Sequence, residues 1–193
     1  MPLRVDALVR ETARLIRSTL PANIRIDLDI KTAMDPWVMG DESQINQVVM
    51  NLCTNAAHAM ETEGGKLTIG IDDIVLEHAN AGHALNLPPG KYVKFTVSDS
   101  GVGMTPEVVE HIFEPYFSTK APDKGCGMGL AVVEGIVKAH NGHIFAMAKP
   151  QKGSTFTVYW PRLEKSPSDP HPRPLGKLPG GSEHILFIDD EFP

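Results

Sequence analysis

The chain has 193 residues, with 24 acidic against 18 basic side chains, a formal net charge of −6 and a pI near 5.7. That balance argues against a nucleic-acid binder, which would show a basic patch, while leaving room for a local basic spot around a phosphate. No apolar run approaches the ~20 residues of a spanning helix, and no signal-peptide pattern opens the chain. The two cysteines do not suggest a disulfide framework, so the expectation is a cytoplasmic protein with no membrane contact by this stretch. A hydrophobic content of 41% suits one full globular domain and a remnant.

In chain order, Val5, Leu8, Val9, Thr12, Ile16 and Leu20 form the apolar line of an amphipathic helix that Pro21 ends. Ile24, Ile26, Leu28 and Ile30 alternate with Arg25, Asp27 and Asp29, the pattern of a half-buried strand. Trp37–Met39 reads as a short strand, and Asp41 with Gln44 as a capping pair opening a helix. That helix, over 43–60, carries a buried stripe of Ile45, Val48, Val49, Leu52, Ala56, Ala59 and Met60. Asn51, Asn55 and His58, spaced four and three apart, share a different stripe, and Gln44 falls near its line. Amides and an imidazole have no packing reason to align; they suit a magnesium ion and phosphate oxygens, with a solvated helix face as the alternative.

A turn at Gly64 and Gly65 leads into a strand over 66–76. A polar connection follows, then a second strand over 91–99, the two forming an antiparallel pair. His78 and His83 on the connection lack a third ligand and read as surface residues. Val93, Phe95, Val97 and Asp99 alternate with Lys94, Thr96 and Ser98, so Asp99 shares the face of an apolar row. A carboxylate there is costly unless something donates hydrogen bonds to it, as an adenine amino group would. Gly101 and Gly103 let the backbone turn sharply beside a flat ligand, an ordinary turn being the alternative. Thr105, Pro106 and Glu107 start a helix that Pro115 breaks, and 118–127 reads as a mobile lid holding Lys120 and Lys124. Gly125, Gly127 and Gly129 run into Leu130, Ala131, Val132, Val133, Ile136 and Val137, a glycine-rich loop entering a helix. Such a loop exposes backbone N–H groups and a positive dipole end to an anion, although no GKS or GKT phosphate loop occurs. The helix ends near His140, Asn141 and Gly142, and two strands close the domain around a turn at 150–153.

Together these stretches resemble the Bergerat-type ATP-binding fold of sensor histidine kinases, type II topoisomerases, a heat-shock chaperone and mismatch-repair ATPases. NLCTNAAHAM at 51–60 is similar to the N box and DSGVGM at 99–104 to the first glycine box. FEPYF at 113–117 is similar to the histidine-kinase F box, and GCGMGL at 125–130 to the second glycine box. GSTFTVYWP at 153–161 is similar to the closing strand. The order is the family's, and FEPYF followed by STK points to the histidine-kinase branch. The resemblance implies an α/β two-layer sandwich, a mixed and largely antiparallel sheet with helices on one face. It implies that Asn51, Asn55, His58, Ala59, Asp99, Gly101, Gly103, Met104, Lys120, Gly125, Gly127, Met128, Gly129, Leu130 and Thr155 bind ATP. Asn55, and Asn51 with it, would hold Mg2+.

The expected division is a catalytic domain over 1–162, a proline-rich linker over 163–182 and, at 183–193, a stretch resembling the first strand of a receiver domain. In that strand Asp189 and Asp190 would help bind magnesium. The family's phospho-acceptor is a histidine followed at once by an acid. The residues after the eight histidines are Ala59, Ala79, Ala84, Ile112, Asn141, Ile144, Pro172 and Ile185, none acidic. The expectation is therefore a monomeric piece of a hybrid sensor kinase that binds ATP and Mg2+. Its partners would be a histidine-bearing dimerisation domain and a receiver domain. A clamp-type ATPase and a non-catalytic nucleotide-binding module stay open beside it.

Overall fold

A computed structural model describes residues 1–32, 35–77, 87–119 and 127–164. Lys120, Lys124, Gly125, Cys126, His78, His83, most of the expected linker and the Asp189–Asp190 pair lie outside the described residues. The elements are β1 (Pro2–Arg4), α1 (Val5–Thr19), β2 (Ile24–Lys31), β3 (Trp37–Met39), α2 (Glu42–Ala59) and β4 (Gly65–Leu76). They continue with β5 (Gly90–Asp99), α3 (Pro106–His111), α4 (Gly129–Ala139), β6 (His143–Ala148) and β7 (Ser154–Pro161).

Among the described residues one five-stranded sheet runs in the order β2-β4-β5-β7-β6. β2 is parallel to β4, and every other neighbouring pair is antiparallel. The mixed, largely antiparallel sheet is thus as expected. β1, which no apolar alternation signals, pairs antiparallel with β3 as a small separate ribbon. The parallel pairing of β2 and β4 requires a crossover, and α2 supplies it. On the helix-covered face β4, β5 and β7 contribute Leu67, Ile69, Ile71, Val93, Phe95, Val97, Phe156, Val158 and Trp160, all buried. Trp160 and Phe95 stack with ring centroids 5.8 Å apart.

Of the expected apolar line of α1, Val5, Leu8, Val9, Thr12 and Ile16 are buried, while Leu20 is the half-buried C-cap beyond the helix. α1 and α4 both pack on α2, and α2 packs on β4 and β5 while α4 packs on β6. Thr105 occupies the N-cap position of α3 with Pro106 behind it, but makes no side-chain capping bond. None of the described helices is long and apolar enough to cross a membrane.

Candidate functional site: a cleft between α2, the β5 end and α4

α2 begins with a good cap. The Asp41 carboxylate accepts the Gln44 N–H at 3.1 Å and a further hydrogen bond from the Ser43 hydroxyl. Those bonds hold Asp41 ionised, with its carboxyl below the usual range. Ile45, Val48, Val49, Leu52, Cys53, Ala56 and Ala57 bury one face of the helix. The Cys53 thiol is pushed up to about 12 by that burial, so it is an inert core group. With one face fixed against the core, Asn51, Asn55 and His58 are turned toward a cleft. Gln44 does not reach it, because its place is in the capping turn.

The cleft is a cavity of about 540 Å³. Asn51, Thr54, Asn55, His58 and Ala59 line it from α2, and Asp99, Val102, Gly103 and Met104 from the end of β5 and the turn after it. Gly127, Met128, Gly129 and Leu130 line it from the start of α4. The structure also places Val108, Ile112, Phe117, Ser118 and Thr119 on its wall, with Ser154 and Phe156 from β7. Among the described residues Asp99 is its one acid, and no lysine or arginine lines it.

Asp99 is 8% exposed. Its Oδ1 accepts the Gly101 N–H at 2.9 Å and the Ser154 N–H at 3.3 Å. Burial raises the carboxyl above its ordinary value, while hydrogen bonds from the Gly101 backbone and from the Ser154 backbone and side chain act against that rise. β7 therefore completes the acid's environment from 55 residues downstream. Ser100 holds the same turn from the other side. Its Oγ accepts the Lys66 N–H at 2.9 Å and lies 3.7 Å from the Met60 sulfur.

Two of the expected ligand-contacting residues sit elsewhere. Gly101 packs on the end of α2: a Cβ there would lie 2.3 Å from the Ala59 carbonyl oxygen. Its small size serves that close approach, and its contribution to the cleft is the N–H given to Asp99. Thr155 does not line the cavity. The pleat that points Ser154 and Phe156 inward turns Thr155 to the opposite face, where its hydroxyl meets that of Ser98 at 2.8 Å. Lys120 and Gly125 lie outside the described residues. Ser154, Phe156 and Thr54 carry no sequence signal of their own. Thr54 could have been found by extending the Asn51–His58 stripe, and Ser154 by strand parity once the register with β5 was known.

The opposite wall is mostly backbone. α4 starts after Met128, whose side chain makes no capping hydrogen bond. Gly129 faces the amides across the gap, a Cβ there falling 3.7 Å from Asn51 Oδ1 and 4.0 Å from Asn55 Nδ2. Gly127, at φ +68°, fits against the carbonyls of Tyr116 and Phe117, so the backbone at 116–117 is packed onto this glycine. Val102 and Met128, 55% and 39% exposed, form an apolar part of the rim.

A buried acid, a row of amides and an uncapped helix start thus converge on one cleft. Comparison with known proteins agrees with that architecture. Residues 40–164 match the family described as histidine kinase-, DNA gyrase B-, and HSP90-like ATPase. The chain belongs to that ATPase family. Within it the similarity runs to sensor histidine kinases. The chain is 39% identical over 175 residues to the sensor kinase CckA of Brucella abortus (strain 2308), covering 86% of this chain and 18% of that kinase. It is 41% identical over 124 residues to the sensor histidine kinase ZraS of Klebsiella oxytoca, covering 64% of this chain and 23% of that kinase. The chain therefore spans about a fifth of the length of these relatives. Among solved structures, a nucleotide-free form of the catalytic domain of histidine kinase ThkA superposes with a TM-score of 0.65. It is 27% identical and covers 84% of this chain and 95% of that one. Full-length ShkA in complex with AMPPNP superposes with a TM-score of 0.63 at 25% identity, covering 84% of this chain and 31% of that one. The fold is that of a histidine-kinase ATP-binding domain.

Proposed function

We propose that this histidine-kinase-type domain binds ATP with Mg2+ in the α2–β5–α4 cleft and presents the γ-phosphate to a histidine on a separate dimerisation domain. The observation that carries the reading is the convergence of Asp99, the Asn51–Asn55–His58 row and the uncapped start of α4 on one cavity. Asp99, ionised, accepts a hydrogen bond from the adenine amino group. The apolar wall of Met104, Val108, Ile112 and Phe156 covers the ring. The N–H groups of the first turn of α4, with its positive dipole end, take phosphate oxygens.

Asn51 and Asn55 offer amide oxygens, the donor type magnesium prefers. Mg2+ held by Asn55, with Asn51 beside it, would neutralise phosphate charge. Lys120 is proposed as a further cation for the phosphates. Catalysis by such a site is positioning and charge neutralisation, the acceptor imidazole attacking the γ-phosphorus as ADP leaves. The dimerisation and receiver domains are the proposed partners, in a cytoplasmic two-component phosphorelay. The named relatives are sensor kinases, which supports this reading over a clamp ATPase.

The test is titration with a non-hydrolysable ATP analogue, with and without Mg2+. Asp99→Ala removes a buried hydrogen-bond partner and is expected to cost about 1–3 kcal/mol of affinity. Asn55→Ala is expected to remove the Mg2+-dependent part of binding. Phosphate transfer to a histidine-bearing helical domain supplied in trans completes the assignment. Unchanged affinity in Asp99→Ala would overturn the base pocket.

A further inference from the structure

His140 is the C-cap of α4, and its ring is bonded at both nitrogens. Nδ1 lies 2.8 Å from the Ile136 carbonyl oxygen, and Nε2 lies 3.1 Å from the backbone nitrogen of Asp41. The first partner can only accept and the second can only donate. A neutral imidazole has one donor and one acceptor, so the partners fix the state: proton on Nδ1, lone pair on Nε2. One ring therefore satisfies a carbonyl at the end of α4 and the N–H of the residue that caps α2, 99 positions away in sequence.

We infer that His140 is a positioning residue for the nucleotide cleft, a clip between the far ends of the two helices whose other ends form its walls.

Three observations support this. The clip joins the start of α2 to the end of α4, whereas Asn51 and Asn55 meet Gly129 toward the opposite ends, so the helices run antiparallel with the clip and the cleft at opposite ends of α4. Only Val133 and Val137 of α4 are fully buried, with Leu130 and Ile136 partly buried against the same core, and the polar tie at its end adds to that packing. The ring also has a prepared seat. A Cβ on Gly40 would lie 3.1 Å from His140 Cδ2 and 2.6 Å from Ile45 Cδ1, so the glycine before the cap leaves room for the imidazole. An 11-residue helix is about 16 Å long, and a tilt of roughly 5° about its clipped end moves the other end by about 1.4 Å. A displacement of that size separates the first-turn N–H groups from a phosphate they would otherwise contact.

The consequence for ligand binding rests on the nucleotide reading; the clip itself is tested without nucleotide. In the 15N-labelled full chain at neutral pH, the His140 ring is expected to show a protonated Nδ1 and an unprotonated Nε2. The opposite tautomer, or an averaged mixture, overturns the clip. His140→Phe keeps a planar ring and removes both bonds. Amide exchange is expected to accelerate over 127–133 and 51–58 while the β2–β4 pairing stays protected, and the dissociation constant of a non-hydrolysable ATP analogue is expected to rise five- to tenfold. Lys138→Ala, an exposed change in the same turn, is expected to do neither. Wild-type affinity in His140→Phe, or a uniform rise in exchange across the sheet, assigns the residue to general stability and overturns the positioning role. If His140→Phe does not fold, the tautomer measured on the unaltered chain still decides. If Asp99→Ala leaves binding unchanged while the tautomer and local exchange behave as stated, the nucleotide reading fails and the clip stands.

Discussion

The two helical walls of the cleft are built on different plans. α2 has 18 residues, a carboxylate cap and seven buried side chains, and it offers the cleft polar side chains. α4 has 11 residues, no side-chain cap and two buried side chains, and it offers the cleft backbone N–H groups. A side-chain donor works only if its helix is held in register, so amides and imidazole belong on the well-anchored wall. A backbone donor needs no rotamer, so a wall with two buried side chains and a tie at its far end can supply it. Local opening is drawn from regions with few buried contacts, and α4 with the adjoining turn fits that description. The difference teaches that α2 is held by its cap and its seven buried side chains, whereas α4 relies on fewer buried side chains and on the His140 tie at its far end to keep its first turn in place.

Four changes would break or sharpen that contrast. The largest effect is expected in the anchor. Leu52→Ala empties a fully buried site on α2 and should cost about 2–5 kcal/mol of unfolding free energy. Leu130→Ala, half-buried on α4, should cost less than half of that in denaturant and show itself chiefly in weaker nucleotide binding. Equal stability losses would erase the contrast. Next comes Gly101→Ala, which places a methyl 2.3 Å from the Ala59 carbonyl and should cost about 1–3 kcal/mol as the turn is forced off α2. Its nucleotide affinity should fall with it, and a crystal structure would show Asp99 displaced.

The third is a pH effect. Burial raises the Asp99 carboxyl, and in the proposed binding mode the ionised form is the one that accepts from adenine. Nucleotide affinity is therefore complete above the raised value and is lost as pH falls through it, beginning at a higher pH than an exposed aspartate would give. Stability without ligand has the opposite sign. The native state takes up the proton first, so Asp99 penalises folding less as pH falls from its folded value to its unfolded one. Asp99→Asn should flatten both steps, as calorimetric titrations across mildly acidic pH would show. The smallest effect belongs to Thr155→Val. It removes the hydroxyl pair with Ser98 on the far face of the sheet and should cost about 0.5–1.5 kcal/mol of stability. The dissociation constant for ATP should not move.

Thr155 also shows where the sequence stops being legible. Helices and strands are written in local periods, so the stripes of α1 and α2, the alternation in β2 and the placing of Asp99 on an apolar face could all be read directly. The amide row could be read too, since residues 51, 55 and 58 share a helix face whatever surrounds them. Which face of β7 meets the cleft depends on its register against β5, a pairing between residues more than fifty positions apart, and no local pattern encodes that. Ser154 was missed and Thr155 chosen for the same reason, one residue of strand parity. β1 was missed because three residues beginning with a proline have no period to detect. Gly101 was read as a place of close approach, and the group a Cβ there would meet is the Ala59 carbonyl.

The pairing of β7 with β5 has a consequence for how the protein is made. Asp99 leaves the ribosome long before Ser154, and until that later strand arrives the acid lacks the second of its backbone donors. The antiparallel partner that flanks it is missing as well. A nascent chain halted before residue 154 holds α2, both glycine turns and the acid, yet lacks the strand that completes the cleft. Nucleotide capture during synthesis should therefore switch on late and abruptly, once the strand carrying Ser154 has cleared the exit tunnel.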